Sequence, residues 1–295
     1  MSKKINLYLC NVCRSRQYLF FDYHDFHYYR CKKCGLVSTF PLPTTQMIEK
    51  HYAKRFKKGN YNLLNQYSQQ YKKVHMQFIS ILNKHLIRCG ENMKNKKILD
   101  IGCFTGDFLE LAKEKGADVY GIELQKNAVA LANSKLGNNK VLQKDVMNNY
   151  SFGNKKFDII TMFGLIEHLT NPSQLIRKSY CLLNSGGTIM IQTPNSSSLF
   201  AKVLNKYWPP YSPIEHIHLF SQLSLKYLLE KNGFRIITTK NHIKLLPIRY
   251  VNDMLDNFGS EFRILFKPFQ FLMPIFGAIT LPFYIGEMII IAKKK

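Results

Sequence analysis

Residues 98–112, ILDIGCFTGDFLELA, constrain this chain more than any other stretch. An apolar strand pattern carrying Asp100 stops at Gly102, turns again at Gly106, and resumes at helical spacing with Phe108, Leu109, Leu111 and Ala112. Glycines at such a turn let the backbone approach a ligand closely, and the helix after it offers unpaired N–H groups to an anionic end. A second strand pattern, DVYGIE, closes on Glu123, twenty-one positions after Gly102, where a carboxylate can hold ribose hydroxyls. The pattern is that of a nucleotide-type cofactor loop.

A dinucleotide fingerprint starting at Gly102 would place glycines at 104 and 107, where the chain has Phe104 and Asp107. A pyrophosphate is therefore poorly accommodated, which argues against NAD and FAD. The string instead resembles the first motif of class I S-adenosylmethionine-dependent methyltransferases, an acidic residue followed by glycines at alternate positions. Asp100, Gly102 and Gly106 match it, and Phe104 departs from the middle glycine. QKDVMNNYSF then resembles the segment whose acid, here Asp145, contacts the adenine amino group in that family. KFDIITMFGLIEHLTNP looks like its fourth strand and active-site loop, LLNSGGTIMIQTPN like its fifth strand, and EHIHLFSQLSLKYLLEKNGF like the helix before its sixth. The resemblance implies an α/β, Rossmann-like seven-stranded sheet with S-adenosylmethionine as cofactor, held by Asp100, Gly102, Cys103, Phe104, Gly106, Glu123, Asp145 and Phe163.

Four of the seven cysteines, Cys10, Cys13, Cys31 and Cys34, form two C-x2-C pairs separated by seventeen residues. Two such knuckles suit one tetrahedral thiolate site with no open position, a structural Zn2+ in a zinc ribbon. A disulfide pair or an iron site are the alternatives, the disulfide disfavoured because MSKKINLYLCNVC lacks an apolar signal core and points to a reducing, cytoplasmic compartment. Cys89, Cys103 and Cys181 read as ordinary thiols.

The expected organisation is a zinc ribbon over 1–43, a helical linker over 44–92 with Val74, Phe78, Ile81 and Leu82 as a core stripe, and a methyltransferase domain over 93–295. Strand patterns alternate with helices from Lys96 onward, as in a mostly parallel sheet, and EMIIIAKK would be an antiparallel last strand. Residues 244–286 form a hydrophobic insertion before it. Within it, 268–286 holds no charged side chain, and Pro268, Pro274 and Pro282 interrupt any single helix. Broken helices on a membrane or acceptor face, a buried lid or dimer surface, and a true span are the three readings.

Charge is uneven. Of a net +23, residues 1–97 contribute +15, with 19 Lys and Arg against 4 Asp and Glu. Such a field favours acidic partners, whether nucleic acid, nucleotide sugars or anionic lipid headgroups.

Two constellations could supply a general base for methyl transfer: Glu167-His168 after the fourth strand, and Glu215-His216 before the helix near Ser221. Quinone-biosynthesis methyltransferases carry a similar E-H pair with a further acid three positions earlier that helps hold a divalent cation; here that position is Gly164. Deoxysugar C-methyltransferases join an N-terminal zinc module to this domain and carry a Y-H-E-H string. The P-I-E-H at Pro213–His216 matches it in Glu215 and His216, with Tyr211 nearby. The ribbon, the methyltransferase domain and the apolar insertion together resemble methyltransferases of surface-polysaccharide assembly. That implies a sugar or glycan acceptor, nucleotide-linked or lipid-linked, His216 as base with Glu215 orienting it and His168 as the rival, and a protein at the inner membrane face. An RNA methyltransferase using the basic, aromatic ribbon, or a non-catalytic binding module, are the other functional classes.

Overall fold

The computed structural model describes residues 9–44, 46–48, 50, 68–148, 150–249, 277 and 279–295. The aromatic run after the first knuckle forms β1 (Gln17–Tyr23) and β2 (Phe26–Cys31), joined at His24-Asp25, and β3 (Val37–Phe40) comes after the second knuckle. Helix α1 (Ser68–Arg88) carries the predicted stripe: Phe78 and Leu82 are buried, with Val74 and Ile81 partly so. Through these residues α1 shares a core with the main sheet, and helix and sheet pack as one body.

β4 (Lys97–Ile101), α2 (Asp107–Glu114), β5 (Asp118–Glu123), α3 (Lys126–Leu136) and β6 (Val141–Gln143) form the first half of the sheet. β7 (Phe157–Phe163), α4 (Pro172–Leu182) and β8 (Leu183–Pro194) begin the second half. The short α5 (Leu199–Leu204) and β9 (His218–Leu219) precede α6 (Gln222–Lys231), which Ser221 caps through its hydroxyl. β10 (Phe234–Pro247) and β11 (Thr280–Lys294) complete the chain.

The seven-stranded order is β10-β11-β8-β7-β4-β5-β6, parallel except for β11, which runs against both of its neighbours. One apolar layer, including Leu99, Ile160, Ile191 and Ile290, faces α4 and α6; the other, including Ile98, Ile159, Met190 and Ile289, faces α1, α2 and α3.

Two features correct the sequence reading. The edges of the insertion are strand: β10 runs through residues 244–247, and residues 280–286 of the uncharged stretch belong to β11, so that part is not broken helix. Residues 250–276 and 278 lie outside the described residues. Among the described residues, no helix is long and apolar enough to cross a membrane. The second feature is that the N-terminal strands pair beyond residue 43: β1-β2-β3 continues into β9, with Val37 opposite Leu219 and Ser38 opposite His218.

Candidate active site

The cofactor turn is built where β4 hands over to α2. Gly102 (φ 78°) and Gly106 (φ 76°) are left-handed, the conformation that favours glycine, and a Cβ on Gly102 would sit 3.1 Å from a Leu165 methyl and press on it. Phe104, in the place of the family's middle glycine, also takes positive φ (47°). Its N–H donates to Glu123 Oε2 at 3.0 Å, and Glu123 Oε1 accepts the N–H groups of Leu124 and Gln125, both at 2.8 Å. A carboxylate offers about four lone-pair positions, so Oε2 keeps room for one more donor such as a ribose hydroxyl. Gly106 provides no side-chain cap to α2, leaving the first N–H groups of that helix open to an anionic ligand.

Asp100 is buried beside this turn and accepts the Thr161 hydroxyl at 2.7 Å. Burial pushes its carboxyl up to about 7, against the Thr161 bond and aided by the negative Glu123. Asp145, half-buried beyond β6, accepts the N–H of Met147 at 2.8 Å, which fixes its carboxylate at the end of the strand. The other two expected cofactor residues are committed to packing. Cys103 turns its thiol into the core, where Gly121 leaves space for it: a Cβ there would lie 2.5 Å from the sulfur. It can offer a ligand only its backbone. Phe163 stacks on Phe78 of α1, with ring centroids 4.1 Å apart and planes 7° apart.

The two glutamate–histidine pairs, 48 positions apart, interlock in space. His168 Nδ1 lies 2.7 Å from the carbonyl of Glu215, and Ile217 N–H donates to the carbonyl of Glu167 at 2.9 Å. His216 Nδ1 lies 2.6 Å from the Pro210 carbonyl. A carbonyl only accepts, so each Nδ1 carries a proton. The rings stand 4.9 Å apart. Beneath them Glu167 is buried and accepts the Thr193 hydroxyl at 2.9 Å; burial raises its pKa, against the pull of His168. One ligand atom each from Glu167, His168 and His216 falls within 4.8 Å of the others, a set that could also hold a divalent cation. The open side is at Gly164, where a Cβ would be 3.8 Å from Glu167 Oε1. Leu165, two positions before Glu167, lies against Gly102 of the cofactor turn. Tyr211 is buried in an aromatic cluster with Phe21, Tyr28 and Trp208, where burial pushes its hydroxyl up to about 12.

The four knuckle cysteines converge, with Cys10 and Cys34 sulfurs 3.5 Å apart and Cys13 and Cys31 sulfurs 3.3 Å apart. None forms a disulfide. A tetrahedral zinc with bonds of ~2.3 Å would space its sulfurs by roughly 3.8 Å, close to the spacing found. Sequence reasoning missed the hold that the ribbon has on the loop. Ser221 Oγ donates to the Cys34 carbonyl at 2.6 Å, Thr39 N–H to the Ile217 carbonyl at 3.0 Å, and buried His218 joins Ser38 (3.0 Å) and Asn11 (3.2 Å) to the chain that carries His216. Burial lowers the His218 pKa to about 4, so it is neutral there.

A family profile described as "Methyltransferase domain" matches residues 72–239. The chain belongs to that family. A ubiquinone biosynthesis O-methyltransferase of Pseudomonas fluorescens is 28% identical over 123 residues, 39% of this chain and 53% of that protein. The chain thus spans about half the length of the curated relatives it matches. Magnesium protoporphyrin IX methyltransferase from Synechocystis, solved with bound SAH, superposes with a TM-score of 0.50 at 17% identity, covering 75% of this chain and 84% of that one. A Bacillus halodurans protein described as a putative methyltransferase gives 0.52 at 18%, covering 72% and 97%. These likenesses establish the α/β methyltransferase fold.

Proposed function

We propose that the chain transfers a methyl group from S-adenosylmethionine to a sugar or glycan acceptor, nucleotide-linked or lipid-linked, in surface-polysaccharide assembly. The observation that supports this reading is the interlocked His168–His216 pair, each Nδ1 held by a backbone carbonyl, on the loop whose Leu165 lies against Gly102. When bound, S-adenosylmethionine supplies an electrophilic methyl on a sulfonium. Glu123 would accept a ribose hydroxyl on Oε2, Asp145 would meet the adenine amino group, and the open N–H groups of α2 would face the carboxylate end. Asp100 and Thr161 hold the end of β4 beneath it.

Displacement from a sulfonium is in line, so most of the rate comes from holding acceptor and methyl at near-attack distance. His216 Nε2 would take the proton released as the acceptor's O–H breaks and its oxygen bonds the methyl carbon, with the C–S bonding pair left on the departing sulfide. The Pro210 carbonyl holds the His216 ring at Nδ1, and His168 stands beside it as the alternative base. Cys10, Cys13, Cys31 and Cys34 would hold a structural zinc, which would tie together the N-terminal strands that clamp this loop.

The named activity of the Pseudomonas relative favours a second reading, in which the acceptor is a ubiquinone-biosynthesis intermediate methylated on oxygen. Incubation with methyl-labelled S-adenosylmethionine and separate pools of nucleotide sugars, lipid extract, quinone precursors and RNA tests the assignment. Label in a sugar or lipid-linked glycan supports it. Label in quinone precursors or RNA overturns the acceptor, and cofactor binding with no transfer to any pool leaves a binding module.

A further inference from the structure

Helix α5 takes no part in methyl transfer, and its outward face is apolar. Leu199 and Val203, one turn apart, are 74% and 72% exposed, and Phe200 and Tyr207 are exposed beside them. Single exposed apolar residues are ordinary on a protein surface; a cluster on one short helix is not.

The helix is also firmly seated. Ala201 is buried beneath it, Ser198 caps it by accepting the Ala201 N–H at 3.0 Å, and buried Trp208 donates its indole N–H to the Ile285 carbonyl of β11 at 3.0 Å. A Cβ on Gly286 would lie 2.5 Å from Ser198 Oγ, so β11 and the start of α5 are in direct contact. Near the start of that strand Leu281, and Ile279 just before it, are exposed.

The charges on the α5 segment have one sign. From Leu199 to Tyr207 there are two lysines, Lys202 and Lys206, both exposed, and no acid. Lys206 Nζ lies 5.1 Å over the Tyr207 ring, at the border where an aromatic side chain and a cation meet a lipid interface together. Apolar side chains flanked by lysines fit an anionic bilayer, whose acyl boundary takes the former and whose headgroups take the latter. A nucleic acid would use the lysines and leave Leu199 and Val203 in water.

We infer that α5 and the start of β11 form a docking surface for an anionic phospholipid membrane. Asn195, next after β8, donates its N–H to the Gly286 carbonyl at 2.7 Å, and Thr193 two positions before it holds Glu167, so the surface lies one short loop from the histidine pair. Resting on the proposed methyl transfer, this placement favours the lipid-linked member of the acceptor class.

Flotation of the full chain with phosphatidylcholine vesicles, with and without phosphatidylglycerol, tests the surface. Cofactor calorimetry on the same samples reports separately on the methyltransferase reading. The protein should float with phosphatidylglycerol vesicles at low salt and much less with phosphatidylcholine alone. Leu199→Glu with Val203→Glu, and Lys202→Glu with Lys206→Glu, should each weaken partitioning roughly tenfold or more while cofactor heats are kept. If the glutamate pair at 199 and 203 disturbs folding, Leu199→Ser with Val203→Thr gives the same readout. Equal flotation of wild type and the apolar variants overturns the inference. So does failure of the wild type to float, or lysine variants that lose tRNA binding with vesicle binding unchanged.

Discussion

Glu287 opens the part of β11 that pairs with both neighbours, and it is a fully buried carboxylate held by Lys244 Nζ at 2.6 Å and His242 Nδ1 at 3.0 Å. Burial alone would raise its pKa, but Lys244 and His242 outweigh it and the carboxyl is pushed down from 4.5 to about 2. At about 1.4 kcal/mol per unit, the ionised form contributes on the order of 3 kcal/mol to stability. The sign comes from the depressed value: the contribution is complete above the unfolded carboxylate range and is lost as pH falls through about 2. Glu287→Gln should therefore cost about 3 kcal/mol in urea unfolding at neutral pH, with the m-value unchanged. The gap between wild type and variant should shrink steadily as pH falls below about 4.5, where the unfolded chain takes up the proton. A cost below about 1 kcal/mol at neutral pH, or one that does not change with acid, would refute this reading of the network.

Metal analysis should find one zinc per chain, and Cys31→Ser should lower stability; no metal after aerobic and anaerobic purification would contradict the thiolate site. Ser221→Ala removes both the α6 cap and the bond to the Cys34 carbonyl, and should cost about 1–3 kcal/mol in urea unfolding, whereas no loss would mean that ribbon and domain stand independently. His216→Asn should leave cofactor binding intact and slow turnover by about 10²–10⁴-fold; a wild-type rate would transfer the role of base to His168.

The parts of this molecule written in short stretches were legible in the sequence. The β4 turn, the closing Glu123, the two knuckles and the start of α6 at Ser221 each depend on neighbours within a few residues, where glycine, cysteine spacing and a capping serine act locally. The features that escaped depend on distant closure. His218-Leu219 has no strand signal of its own and becomes β9 only because β3 offers it an edge. The two E-H pairs read as rivals and are one cluster, because the bond between them runs from a side chain to the Glu215 backbone, whose position the sequence does not display. Pro268, Pro274 and Pro282 read as breaks in a single helix, and Pro282 itself lies within β11. It is tolerated because β11 pairs there with β10 alone, and contact with β8 begins only at Glu287. Cys103 lies within the cofactor turn and Phe163 ends β7, yet core packing claims their side chains.

Everything proposed for this chain depends on the turn between β4 and α2 holding S-adenosylmethionine, with Glu123 on its ribose. Calorimetric titration of the cofactor into wild type and Glu123→Ala tests that directly. One site per chain is expected, with affinity weaker by ~1.5–3 kcal/mol in the variant, the scale of a hydrogen bond to a charged group, and no heat from NAD. Undiminished affinity in Glu123→Ala, or preferential binding of NAD, would contradict it.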